Sequence, residues 1–172
     1  MYHKKVCILG ARAVGKTSLI RRFLGNDFSD DYAATSGADL SKIVLDIDGD
    51  KVQLMLWDIQ GEENPARGAL EYTRNLSAVI YVVDGTRLET LEPALELRQM
   101  VEEQHGSSIP SIMLFNKSDL AKDWEISSNM INDVENDGIF ALLISSREGS
   151  GVNTAFSLIT RVMLGKTTLI AA

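Results

Sequence analysis

The sequence has one cysteine, three prolines and two histidines among its 172 residues. A single thiol, Cys7, excludes an internal disulfide, so the expected compartment is a reducing, cytoplasmic one. Basic residues are also in deficit: 17 Lys and Arg against 24 Asp and Glu leave a net charge of −7. That balance argues against nucleic acid as a partner and against a polybasic grip on anionic lipid. No apolar stretch reaches the roughly 18 residues that a membrane-spanning helix needs. Residues 1–5 lead straight into a short apolar run, without the layout of a secretory signal. What is present, 45% hydrophobic and 24% charged residues, suits a single domain over residues 1–172 with a substantial core.

Four short apolar runs, at residues 6–9, 79–83, 112–115 and 139–144, do not alternate with polar positions. Parallel strands covered on both faces read this way. Between and after them, Val152, Ala155, Phe156, Ile159 and Met163 recur at helical spacing as one amphipathic stripe. Leu91, Ala94, Leu95, Leu97 and Val101 make a broader stripe, and Leu19, Ile20, Phe23 and Leu24 a third. Residues 43–47 and 52–57, joined by Asp48-Gly49-Asp50, read as two strands around a tight Asp-Gly turn. The expected fold is α/β: a mostly parallel six-stranded sheet with one antiparallel edge strand and helices on both faces. Ligands of such doubly wound sheets sit at the carboxyl ends of the strands.

The stretch GARAVGKTS, residues 10–18, follows the first run and opens the first helical stripe. It fits the P-loop pattern, whose glycines let backbone N–H groups converge on phosphate oxygens at a helix N-terminus. The candidate phosphate-binding residues are Ala13, Val14, Gly15, Lys16, Thr17 and Ser18. Lys16 would add a point charge on the terminal phosphates, and the Thr17 hydroxyl would ligate Mg²⁺. Asp58 closes the 52–57 run and can hold the same ion through water, and Gly61 can bring its N–H to a γ-phosphate. Asn116-Lys117-Ser118-Asp119 closes the 112–115 run on the same edge of the sheet. The Asp119 carboxylate can accept from guanine N1–H and the 2-amino group; adenine lacks both donors and would leave a buried charge unpaired. Asn116 would tie this loop to its neighbours, the Lys117 stem can lie over the base, and Ser145, Ser146 and Arg147 can offer backbone N–H groups to the purine oxygen.

With these stretches in this order, the chain resembles a Ras-superfamily small GTPase of the Rab-like branch, over roughly residues 4–165. The resemblance implies GTP/GDP and Mg²⁺ as ligands and hydrolysis of GTP to GDP. It also implies that Phe28 packs against the base, Asp30 lies near the ribose and Tyr32 covers the phosphates. Thr35 would join Thr17 and Asp58 around Mg²⁺ when a γ-phosphate is present. The loops around Thr35 and Gly61 become two switches, and Lys16, Thr35, Gly61 and residue 62 form the hydrolytic group. Effector, exchange-factor and activating proteins are the implied partners of a monomer. The positions of the Rab-like aromatic triad are Leu40, Trp57 and Tyr72, with leucine in place of phenylalanine. Strand alternation sets Trp57 with Met55 and Gln53, opposite Val52, Leu54 and Leu56, so it can face outward as a partner anchor, the alternative being a core tryptophan under a helix.

Three positions depart from the family pattern. Arg12 replaces a small residue close to the γ-phosphate, Gln60 replaces the alanine before Gly61, and Glu62 takes the place of the glutamine that orients the attacking water. Arg12 would crowd the transition state and any inserted arginine finger, or act as a finger in cis; Glu62 adds negative charge beside a polyanion. The expectation is slow hydrolysis, with a pseudo-GTPase scaffold as the alternative and an ATP-dependent P-loop enzyme disfavoured by Asp119. The last residues carry no prenylatable cysteine or basic cluster, so no membrane anchor is expected in this chain, which would be either truncated or a soluble or prokaryotic member. Cys7 is expected in the core, His3 and His105 on the surface, and the acidic stretch 27–31 in solvent apart from Asp30.

Overall fold

A computed structural model describes residues 1–25, 37–60 and 68–169 of the chain. Phe28, Asp30, Tyr32, Thr35, Gly61 and Glu62, and the rest of the acidic stretch, lie outside the described residues. The elements run β1 (Tyr2–Leu9), α1 (Lys16–Phe23), β2 (Ala38–Ile47), β3 (Asp50–Ile59), β4 (Ala78–Asp84), α2 (Leu91–His105), β5 (Ser111–Asn116), α3 (Ser128–Asn136), β6 (Phe140–Leu143) and α4 (Val152–Met163). The six strands form one sheet in the order β2-β3-β1-β4-β5-β6. Among the described residues, only the β2–β3 pair is antiparallel.

Residues of the inner strands divide between two apolar layers. Val6 and Ile8 of β1, Ile80 and Val82 of β4, and Ile112 and Leu114 of β5 pack with α1 and α4. Their neighbours Cys7, Leu9, Val79, Tyr81, Val83, Met113 and Phe115 pack on the other face with α2 and α3. Both faces are therefore apolar, which is why these strands show no alternation in sequence. The stripe on α4 buries Val152, Ala155, Phe156 and Ile159, and Phe156 stacks on Phe23 of α1 with ring centroids 3.8 Å apart. Cys7 is buried, its thiol pushed up to about 12 by desolvation.

The hairpin turns as its sequence demands. Ile47 pairs with Asp50, leaving Asp48 and Gly49 as a two-residue loop with φ of 54° and 85°. Positive φ at both central positions is the twist-matched hairpin geometry that Asp-Gly favours. Strand β2 begins five residues before the apolar run at 43–47, because Ala38–Ile47 is an edge strand with a largely exposed side. Helix α3 has a weak apolar stripe and is started by Ser127, whose Oγ accepts from Met130 N at 3.3 Å. His105 differs from expectation. It is half-buried, with Nε2 2.8 Å from Oγ1 of the buried Thr73.

Candidate functional site

All the sequence motifs that the structure describes meet at one edge of the sheet, where β1, β4, β5 and β6 end. Because these strands run parallel, the loops that leave them emerge on the same side.

The loop from β1 to α1 is shaped by what lies directly behind it. A Cβ on Gly10 would sit 2.4 Å from the carbonyl oxygen of Val82, and one on Gly15 would sit 2.3 Å from Nδ2 of Asn116. Gly15 also has a φ of 104°, and Ala13 takes a φ of 60°, a left-handed conformation that costs a residue with a Cβ roughly 1–2 kcal/mol. Val14 sends its side chain into the core. Lys16 is buried and folds back over the loop, donating to Gly10 O at 2.9 Å and Ala11 O at 2.7 Å. Desolvation lowers its pKa to about 8, against the pull of Asp58 and with a further push from Arg87. Ser18 is half-buried in the first turn of α1, and Arg12 is exposed.

Three successive carbonyls of this loop are held by side chains from β5 and the loops after β4 and β5. Arg87 Nη2 donates to Arg12 O at 2.8 Å, Lys117 Nζ to Ala13 O at 3.3 Å, and Asn116 Nδ2 to Val14 O at 2.9 Å. The described peptides are all trans, and in a trans peptide the N–H points opposite to the C=O before it. The amides of Ala13, Val14 and Gly15 are thereby turned away from the three clamps. Successive amides directed to one side are the arrangement from which anion-binding nests are built.

Asn116 extends the tie to a third loop, since its Oδ1 accepts from Ser146 N at 3.0 Å and Ser146 Oγ at 3.1 Å. Ser145 Oγ donates to Asp119 Oδ1 at 2.6 Å, which leaves most of that carboxylate's acceptor positions for a ligand. Arg22 of α1 supports the same loop, donating to Ser146 O at 3.0 Å and to Arg147 O. At the start of α1, the Thr17 hydroxyl donates to Oδ2 of the buried Asp58. Hydroxyl and carboxylate oxygens are the donors that Mg²⁺ takes, so the pair fits such an ion.

Sequence reasoning missed Asp84, Thr86, Arg87 and Arg22. Asp84 is fully buried and accepts from Lys117 Nζ at 2.5 Å, Thr86 Oγ1 at 2.7 Å, Arg87 Nε at 2.9 Å and Thr86 N at 3.0 Å. Burial alone would raise its carboxyl, but the bonds with Lys117, Thr86 and Arg87 outweigh that and hold it below its ordinary value. A signal was present: Asp84 ends an apolar run just as Asp58 does.

A model of the Ras family matches residues 5–165. The chain is 32% identical over 167 residues to the Ras-related protein Rab-7L1 of Rattus norvegicus, covering 93% of this chain and 81% of the relative. The chain is a Rab-like member of the Ras superfamily of small GTPases. Two relatives from Dictyostelium discoideum agree with that assignment: Rab-32C, 32% identical over 163 residues with 93% of this chain and 73% of the relative covered, and Rab-4, 29% identical over 167 residues with 96% and 82% covered. A Rab-like GTPase is in general a GTP-binding switch, and guanine nucleotide is its class of ligand.

Two further features of this Rab-like GTPase border the segments outside the described residues. Gln60 N donates to Gly37 O at 2.8 Å, and Gln60 Oε1 accepts from Gly37 N at 2.9 Å. The unusual glutamine thus prolongs the β2–β3 ladder one step past Ala38 and Ile59. Leu40, 44% exposed, lies opposite Trp57 across the hairpin. Trp57 is half-buried, its ring 6.1 Å from that of Tyr72, with Lys5 Nζ 4.6 Å from its centroid. Among the described residues, no helix is long and apolar enough to cross a membrane.

Proposed function

We propose that the chain is one G domain that binds GTP and GDP with Mg²⁺, hydrolyses GTP slowly, and recruits effectors through its switch loops in the GTP state. The observation that carries this reading is Asn116, which bonds both the P-loop carbonyl of Val14 and the loop at Ser146. One side chain thereby couples a phosphate-binding turn to a base-reading loop, which supports a ligand with a purine at one end and phosphates at the other.

In this reading Ala13, Val14, Gly15, Lys16, Thr17 and Ser18 bind the phosphates. Asn116, Lys117, Asp119, Ser145, Ser146 and Arg147 bind guanine. Thr17, Asp58 and Thr35 hold Mg²⁺, whose charge offsets that of the phosphates. Phe28, Asp30 and Tyr32 serve the base, ribose and phosphates, and Gly61 and Glu62 stand beside the γ-phosphate. Lys16 is suited to its part because its charge, buried and disfavoured in the free chain, gains a counter-charge when a phosphate arrives. Leu40, Trp57 and Tyr72 form the anchor surface for effectors, with regulators engaging the adjacent switches.

Slow turnover follows from Glu62, a carboxylate where a neutral amide would orient water, and from Arg12 on the rim of the P-loop. Single-turnover hydrolysis of preloaded GTP tests this in the parent chain and an Arg12→Gly/Glu62→Gln variant. The expected result is a variant faster by roughly ten-fold or more, a barrier change of about 1.4 kcal/mol. A parent that turns GTP over readily, at the rate of an active variant, contradicts slow turnover. No hydrolysis in either supports the scaffold reading.

A further inference from the structure

We infer that Arg87 is a positioning residue for the phosphate-facing amide of Ala13, a part not filled by any residue of the P-loop motif. The inference rests on the guanine-nucleotide reading above. Arg87 stands in the loop after β4, outside every motif, yet its guanidinium spans two elements. Nε and the fully buried Asp84 form an ion pair at 2.9 Å, while Nη2 donates to Arg12 O at 2.8 Å. Glu89 lies 4.0 Å from Nη1. A planar fork fixed at one end by a buried carboxylate delivers its other N–H in a set direction.

That direction matters because of the peptide it holds. The Arg12–Ala13 peptide precedes a residue with a left-handed φ of 60°, a conformation that a chain with a Cβ leaves readily unless it is held. Fixing the Arg12 carbonyl fixes the opposed Ala13 N–H. Lys117 and Asn116 do the same for the next two amides, so Arg87 completes a row of three. Its role is to keep the first amide of the nest aimed before a nucleotide binds, so that the loop need not reorganise on binding.

Arg87→Lys separates this role from simple support of Asp84. Lysine keeps a positive charge beside Asp84, but one ammonium on a flexible stem cannot hold the carboxylate and the Arg12 carbonyl in the geometry of the fork. The measurements are release of a fluorescent GDP from the Mg²⁺-loaded chain, thermal unfolding, the Ala13 amide resonance, and the ³¹P resonance of the bound β-phosphate. The expected result for Arg87→Lys is a Tm lowered by no more than the weaker GDP binding accounts for, GDP release faster by roughly ten-fold, and shifts in both resonances. Arg87→Ala should release GDP at least as fast. If Arg87→Ala does not fold, Arg87→Lys decides alone. Full rescue by lysine, with parent release rate and unshifted resonances, overturns the inference and leaves nucleotide binding intact. A parent chain that binds no GDP overturns the functional reading and this inference with it.

Discussion

The two ends of the sheet both carry ion pairs, and they use them differently. At the carboxyl end, Asp84 is fully buried between Lys117 and Arg87, and both cations also hold carbonyls of the P-loop. At the opposite end, the hairpin tip is bound to the chain around α4 by Arg161 with Asp48, at 2.6 Å and 2.8 Å, and by Lys166 with Asp50 at 2.7 Å. Asp48 is exposed, and what these cations hold is a turn that Asp-Gly already favours. A charge pair therefore matters here through its burial and through the backbone it fixes, more than through its length. The carboxyl end invests polar side chains in a strained loop, and the hairpin end needs little help.

Substitutions at the two ends should separate accordingly. The largest effect is expected from Gly15→Ala, because the new Cβ would meet Asn116 Nδ2 at 2.3 Å in a backbone of φ 104°. The combined clash and strain, about 3 kcal/mol, should weaken GDP binding by at least ~100-fold in a fluorescence titration. Asn116→Ala should come next. It removes the ties to Val14 and Ser146 and leaves buried backbone groups unsatisfied, at about 2 kcal/mol, or roughly a 30-fold loss of GDP affinity together with a lower Tm.

Asp84→Asn should have a smaller and pH-dependent effect. The Asp84 carboxyl lies below its ordinary value of 3.8 when folded, so the folded state favours the ionised form. Its stabilisation is complete above that value and disappears as pH falls through the lower folded value. Denaturant titrations should find the variant less stable at neutral pH by about 1–3 kcal/mol, with the difference shrinking on acidification below about pH 4. A gap that stays constant down to pH 2 would contradict the ionised assignment. Least of all should follow from Arg161→Ala at the hairpin end: Tm within about 2 °C of the parent and GDP affinity unchanged.

The same contrast explains what could be read in the sequence. Strands β1, β4 and β5 were legible because both faces are apolar, and the hairpin because Asp48-Gly49 demands its turn. The first half of β2 was not, since an edge strand has a ladder partner on one side and residues such as Asp39 and Ser41 look like loop. Ile139 and Ile144 are buried yet flank β6 without joining it, so an apolar run overstated that strand at both ends. In the site, the P-loop, Asp58, Asn116 and Asp119 stood out because each comes at or just after the end of an apolar run. The roles of Arg87 and Arg22 were hidden, because each depends on which strand or helix lies next to which. His105 was misread for the same reason, its partner Thr73 being 32 residues away.

The central claim is that the carboxyl edge of the sheet binds guanine nucleotide, with Asp119 reading the base. Displacement of a fluorescent GDP from the Mg²⁺-loaded chain by unlabelled GDP and ADP tests it most directly, in the parent and in Asp119→Ala. In the parent, GDP should compete at a concentration lower than ADP by roughly 10³-fold or more, since adenine offers the Asp119 carboxylate neither of guanine's two donors, and the variant should lose most of that margin. Equal competition by GDP and ADP in the parent would contradict the account.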